Sequence, residues 1–318
     1  LEKPFVSIPD PNMEKACSAV SSSTLLEREW KTIGKFKDEP RVEEKFVHLD
    51  PDLFLKEALN LVQRAQEKGI YLRILGALAV YLHTEHAPEA RSLFFSLGRL
   101  GAGQLVFTDL DLMAYSRQSV EVRKFLEREM GYKPNLYVNS VFAFRRNIFR
   151  HPEGSFDVDV FYDLLDFSHP VEFGRIPGKG RLEIDFPTIS LGDLVLEKLQ
   201  IHEINRKDLI DLLVLFISHP FSESEEKERI NAKHISQTLA DSWGFWYDAC
   251  TNLNKLLSFI KEATGSEGTE ASLFEKAQQQ AQYLLRRLQE EPKTPGWVKR
   301  SKRGTSIPWY KEVEEVER

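Results

Sequence analysis

The residues best suited to chemistry are carboxylates at alternating positions. Thr108-Asp109-Leu110-Asp111-Leu112 sets two acids two residues apart. In a β-strand such positions face the same way, leaving Leu110 and Leu112 for the core. Phe156-Asp157-Val158-Asp159-Val160-Phe161 repeats the pattern. If the two strands pair, at least three carboxylates converge. Two unit charges about 5 Å apart at an effective dielectric near 20 repel by roughly 3 kcal/mol, so three such pairs cost about 10 kcal/mol. Such a cluster is protonated, spread into water or held by divalent cations, and an oxygen-rich set with few neutral ligands suits magnesium together with substrate phosphates. Gly76, where a short strand runs into a helix, adds backbone N–H groups and a positive helix end, a seat for phosphate. The plain alternatives are an acidic pair beside a solvated turn and a glycine placed for steric reasons.

These residues need a strand-rich scaffold, and the hydrophobic pattern predicts one. Apolar spacing gives a helix over 52–67 ended by Gly69, a strand over 71–75, and a helix beginning at Ala77. A loop with a helical piece follows over 88–103, then a strand over 106–115 and a helix over 119–130 closed by Gly131. Further strands are expected over 138–149, 156–161 and 181–186. After Pro187 the pattern turns helical, over 191–204, 207–218, 231–240, 243–264 and 272–290. Strands followed by helices predict an α+β fold, a mixed β-sheet with flanking helices and then a helical C-terminal domain. The divisions are an N-terminal arm over 1–45, a strand-rich domain over 46–188, a helical domain over 189–290 and a basic, aromatic tail over 291–318.

Composition excludes other classes. The 318 residues are 42% hydrophobic and 29% charged, with 17 Gly and 15 Pro, which is ordinary for a globular chain of about two domains. The longest apolar stretch, near Leu209 to Ile217, is short and contains Asp211, so no membrane span is expected. Cys17 and Cys250 lack metal or disulfide spacing, the first residues lack a secretory pattern, and a cytoplasmic location is the default. The net charge of −6 argues against a globally basic nucleic-acid coat. His151, His169 and His202 show no ligand spacing and read as structural or surface residues.

Taken in order, the glycine turn and the two acidic strands resemble the nucleotidyltransferase superfamily of the DNA polymerase β type. The matching positions are Gly76-Ala77, Asp109 with Asp111, and Asp159 within Val158-Asp159-Val160-Phe161. Thr108 is similar to the Ser or Thr before the acidic pair in the bacterial abortive-infection toxin type. The segment 188–200 with Lys198, followed by Arg206-Lys207-Asp208-Leu209-Ile210-Asp211, is similar to that type's downstream lysine and KDxxD motifs. The resemblance spans roughly residues 70 to 215. It departs from the family at Ala77, where Gly or Ser is usual, and in the long interval from Gly76 to Asp109.

The resemblance implies a transferase that moves a nucleoside monophosphate from an NTP to a hydroxyl acceptor and releases pyrophosphate. It implies two Mg2+ ions held by Asp109, Asp111 and Asp159, with Asp157 the rival for the third place. Gly76, Ala77, Thr108, Lys198 and Asp208 become nucleotide-binding candidates. Asp208 and Asp211 are candidates to orient Lys198 or Arg206, and one of Arg145 and Arg146 to face the site. The basic and aromatic residues from Trp297 to Tyr310 make an RNA acceptor such as tRNA one option against a solvated tail. The competing classes are a nucleotide- or RNA-binding module without turnover and a toxin-like chain restrained by a protein antitoxin.

Overall fold

The protein is described by a computed structural model over residues 50–99, 107–142, 144–263 and 269–312. The expected N-terminal arm lies outside the described residues. Helix α1 (Pro51–Glu67) starts where Asp50 accepts a hydrogen bond from the Asp52 N–H at 3.0 Å and Pro51 supplies a ready-set first turn. Its stripe of Phe54, Ala58, Leu61, Val62 and Ala65 is buried, with Phe54 edge-on to Phe156 at 4.8 Å. The helix therefore covers the apolar face of the sheet, the side opposite the carboxylates.

The main sheet is built from β1 (Leu72–Ile74), β2 (Asp109–Ala114), β3 (Lys133–Pro134), β4 (Arg146–Arg150) and β5 (Asp157–Tyr162) in the order β1-β2-β5-β4-β3. The β2–β5 pair is parallel and the other three pairs are antiparallel. Between β1 and β2 lie helices α2 (Gly76–His83) and α3 (Pro88–Ser96). Helix α4 (Ser119–Lys124) runs on into a π-turn over Phe125–Glu129, and Gly131 closes it at φ +76°.

Of the expected strands, the one over 138–149 forms only from Arg146 onward, and the one over 181–186 does not form. Over 138–149 the chain instead makes helix α5 (Leu136–Phe142) and then β4. The Asn135 side chain accepts the Val138 N–H at 3.1 Å, a helix cap that outweighs the β-branched and aromatic residues there. Over 181–186 the chain is irregular because side chains rather than a ladder hold it. Arg181 binds both oxygens of Asp193 at 2.7 and 2.8 Å, and Tyr115 Oη accepts the Leu182 N–H at 2.9 Å. A small hairpin of β6 (Leu164–Asp166) and β7 (Pro170–Glu172) is an addition to the expected elements.

Beyond Thr188, which bridges to Ile74 of β1, the chain is mostly helical. The helices are α6 (Leu191–Leu199), α7 (Arg206–Ser218), α8 (Ala232–Asp241), α9 (Trp243–Ala263), α10 (Thr269–Glu290) and α11 (Pro295–Ser301). Short strands β8 (Phe221–Ser222) and β9 (Ile230–Asn231) separate α7 from α8. Helix α7 is capped by Asn205, and its residues from Asp208 to Ser218 are all buried. It packs against α2 and α3 as well as α6, α9 and α10, so the helical and strand-rich parts share one core, and the described residues belong to one compact unit. The composition changes near residue 188, but the core does not.

The tail is not a solvated strand of residues. Trp297 on α11 is buried edge-on to Trp246, Trp309 Nε1–H donates to Asp248 Oδ1 at 2.9 Å, and Tyr310 stacks on His202 at 3.5 Å. Asp248 also bonds His169 Nε2 at 2.7 Å and His202 Nδ1 at 3.0 Å, giving both histidines structural roles. Among the described residues no helix is long and apolar enough to cross a membrane.

Candidate functional site

Gly76 is the point from which the site is built. Its φ of +71° lies in the left-handed region, where an L side chain costs about 1–2 kcal/mol. A Cβ there would also stand 3.0 Å from Asp111 Oδ2. Only glycine lets the backbone approach the carboxylate this closely. The preceding Leu75 N–H bonds the Asp111 carbonyl at 3.1 Å, which ties the elbow to β2. The Gly76 N–H itself donates to Glu197 Oε2 at 3.1 Å, so the start of α2 faces a carboxylate.

The parallel pairing of β2 and β5 sets Asp109 opposite Asp157 and Asp111 opposite Asp159. Neighbouring strands lie about 4.8 Å apart, so four carboxylates occupy one face of two adjacent strands. Asp109 and Asp111 are half-buried, whereas Asp157 and Asp159 are buried. β4 supplies the opposite charge. Arg146, Ile148 and Arg150 share the acidic face, with Ile148 in register with Asp159 and Arg150 with Asp157. Arg146 Nε lies 2.9 and 3.0 Å from the two oxygens of Asp159, and its Nη2 bonds Oδ2 as well. Arg150 Nε bonds Asp157 Oδ1 at 3.0 Å. Arginine from the next strand is thus a fourth way to neutralise the acids, beside protonation, solvation and cations.

Lys198 and Asp208 lie one layer behind. Lys198 Nζ is 3.0 Å from Glu197 Oε1, 3.3 Å from Asp208 Oδ1 and 3.2 Å from Asp211 Oδ2, and its side chain is 6% exposed. Burial disfavours its charge, but the three carboxylates outweigh that and hold its pKa well above the lysine range. Burial likewise pushes the Glu197 pKa up. Arg99 forks onto Asp211 at 2.6 and 2.9 Å. This network touches the elbow through Glu197, and Asp208 and Asp211 orient Lys198. Arg206 turns elsewhere, to the Leu97 carbonyl at 2.7 Å. Thr108 is exposed at the mouth of β2, and Ala77 is half-buried in the first turn of α2.

Helix α6, which carries Glu197 and Lys198, is fixed at its other end by Asp193. Ser190 Oγ donates to Asp193 Oδ2 at 2.7 Å, and His234 Nε2 lies 2.8 Å from Oδ1, beside the Arg181 fork. Burial raises this carboxyl's pKa, but His234 and Arg181 outweigh it and leave it depressed. A depressed carboxylate binds fewer protons in the folded than in the unfolded chain. Its stabilisation is therefore complete above the unfolded value of about 3.9 and is lost as the pH falls through the folded value. Asp193→Asn is expected to lower stability at neutral pH and to flatten the loss of stability below about pH 4. Urea midpoints across that range check both.

The elbow, Asp109, Asp111, Asp157 and Asp159 come together. Lys198 and Asp208 join them only through Glu197. Glu197, Arg99 and Arg150 were not anticipated. The alternation of Arg146, Ile148 and Arg150 marks the basic face of β4, but an expected strand beginning at Val138 and ending before Arg150 hides it. In donor chemistry, Asp109 and Asp111 offer half-buried carboxylate oxygens, the ligand type that hard cations take, and Asp159 is held by Arg146. Comparison of the chain with protein-family models, with curated proteins and with solved structures finds no match.

Proposed function

We propose that the acidic end of β2 and β5 binds the polyphosphate of an NTP through magnesium and transfers the nucleoside monophosphate to a hydroxyl acceptor, releasing pyrophosphate. The observation that carries this reading is Asp111 packed against the left-handed Gly76 turn with Asp159 directly across on the parallel strand. Asp109 and Asp111 would hold the ions, with Asp159 completing the set once Arg146 yields it. Bound there, magnesium would supply charge neutralisation and acidify the acceptor hydroxyl. The chain's own part is positioning. Gly76 keeps the backbone close, and Lys198 holds Glu197 on the elbow through charge and hydrogen bonding.

A second reading, a nucleotide-binding module without turnover, is favoured by two contacts. Arg146 occupies the carboxylate that a metal would need, and Glu197 occupies an N–H that a phosphate would need. An RNA, protein or small-molecule acceptor belongs to the first proposal, whereas a toxin-like chain restrained by an antitoxin is a separate alternative. For RNA, Lys299, Lys302 and Arg303 are exposed, but Trp297 and Trp309 are engaged within the fold. Calorimetric titration with Mg2+ and each NTP, followed by transfer of label from α-labelled NTP, separates the readings. Transfer that Asp109→Ala reduces to background supports the enzyme. Binding without transfer supports the module, and equal transfer by both proteins removes the acidic strands from the reaction.

A further inference from the structure

We propose that His83, His219 and Glu228 bind a zinc ion. The three come from separate elements: His83 ends α2, His219 caps α7, and Glu228 lies in the turn between β8 and β9. Their ligating atoms lie within 4.8 Å of one another. Glu228 Oε2 is 3.3 Å from His83 Nδ1 and 3.5 Å from His219 Nδ1. Ligands bound to zinc at about 2.0–2.1 Å in a tetrahedron stand about 3.3–3.4 Å apart, so the two spacings from Glu228 to the histidines match edges of a zinc tetrahedron.

The surroundings favour a cation. The His83 and His219 side chains are 5% and 0% exposed, and Glu228 reaches them from a half-exposed turn. Thr188 Oγ1 lies 2.8 Å from His83 Nε2, an outer contact that orients the ring and leaves Nδ1 facing Glu228. His219 Nδ1 lies 3.2 Å from the Glu228 backbone carbonyl as well as near its carboxylate, and His219 Nε2 is buried without a hydrogen-bond partner. His86 packs beside His219 at 5.0 Å between ring centroids. Glu228 adopts φ +55°, a backbone outlier that aims its carboxylate at the two rings. The ion pairs of Glu228 among the described residues are with these histidines rather than with Lys or Arg. Two imidazoles and one carboxylate form a mixed nitrogen and oxygen set that suits zinc and leaves a fourth position for water. The ion would clasp the far end of α2, about 10 Å from Gly76 along the helix axis.

The experiment is titration of the tag-free, chelator-treated full chain with Zn2+, followed by calorimetry and thermal unfolding. One saturable equivalent and an unfolding temperature that rises with zinc concentration are expected. Glu228→Gln, a mild change on a half-exposed turn, and His83→Asn are each expected to weaken binding by at least about 10–100-fold and to remove the thermal shift. Co2+ in place of zinc should give visible absorption bands of low-coordinate cobalt in wild type and not in either variant. Absence of saturable binding, or equal affinity in wild type and both variants, overturns the proposal. Loss of zinc affinity in Asp109→Ala but not in Glu228→Gln would place the ion on the acidic strands and overturn it too.

Discussion

Lys198→Met is expected to destabilise the protein by about 3–5 kcal/mol, the cost of removing one partner from a buried ionic group. The wild-type ammonium sits 3.0–3.3 Å from Glu197, Asp208 and Asp211. Without it, Arg99 still serves Asp211 and the Gly76 N–H still serves Glu197, but three buried carboxylates share one cation. Methionine fills most of the volume, so the loss reads charge rather than packing. With total stabilities of about 5–15 kcal/mol in ordinary domains, the urea midpoint should fall steeply. Mild acid should recover part of the loss in the variant, because burial already pushes the Glu197 pKa up and its protonation removes one of the surplus charges. A midpoint equal to wild type would mean that Lys198 is solvated in the folded chain. A lysine acting only as a solvated phosphate contact would leave stability unchanged when removed, so the measurement also separates a positioning role from a surface one.

The strands that carry the acids were legible because period-two alternation is local. Leu110 and Leu112, like Val158 and Val160, are fully buried, and the acids stand on the other face. Gly76 was legible for the same reason, since a glycine between a strand and a helix announces a turn. The pairing of Asp159 with Arg146 was not, because it depends on β4 lying beside β5, and the Asn135 cap that ends one element and begins another is a single side-chain bond. Lys198, Asp208 and Asp211 are legible as a set, but their burial is not: helix α6 is buried along its whole length, so its lysine turns to Glu197 on the same helix and to Asp208 and Asp211 on α7. His83, His219 and Glu228 are 136 and 9 residues apart in sequence, so no ligand spacing marks them before the chain folds. The tail's aromatics follow the same rule. Trp297 and Trp309 read as a nucleic-acid signature by composition, whereas Trp246 and Asp248 claim them in space.

Arg146→Met is the substitution that bears most directly on the acidic site. Arg146 forks onto Asp159, whose side chain is 2% exposed, and its guanidinium lies 5.2 Å from the Phe161 ring centroid. Methionine keeps the contact with Phe161 and removes the charge, leaving Asp159 opposite Asp111 on the neighbouring strand. In the absence of divalent cations the variant is expected to lose about 3–5 kcal/mol. Added Mg2+ or Mn2+ should return part of that, because a ligand that binds only the folded chain stabilises it by RT ln(1 + [L]/Kd), about 2.7 kcal/mol at a hundredfold excess over Kd. The rescue should saturate and should vanish when Asp109→Asn is combined with Arg146→Met, since the ion would then lack a ligand from β2. Unfolding midpoints with and without cation, in wild type and both variants, give the comparison. Saturable rescue means that the carboxylates form a cation site for which Arg146 stands in. Failure of any divalent ion to restore the midpoint means that arginine is the permanent counter-ion of these strands, and the binding module without turnover becomes the better description of the fold.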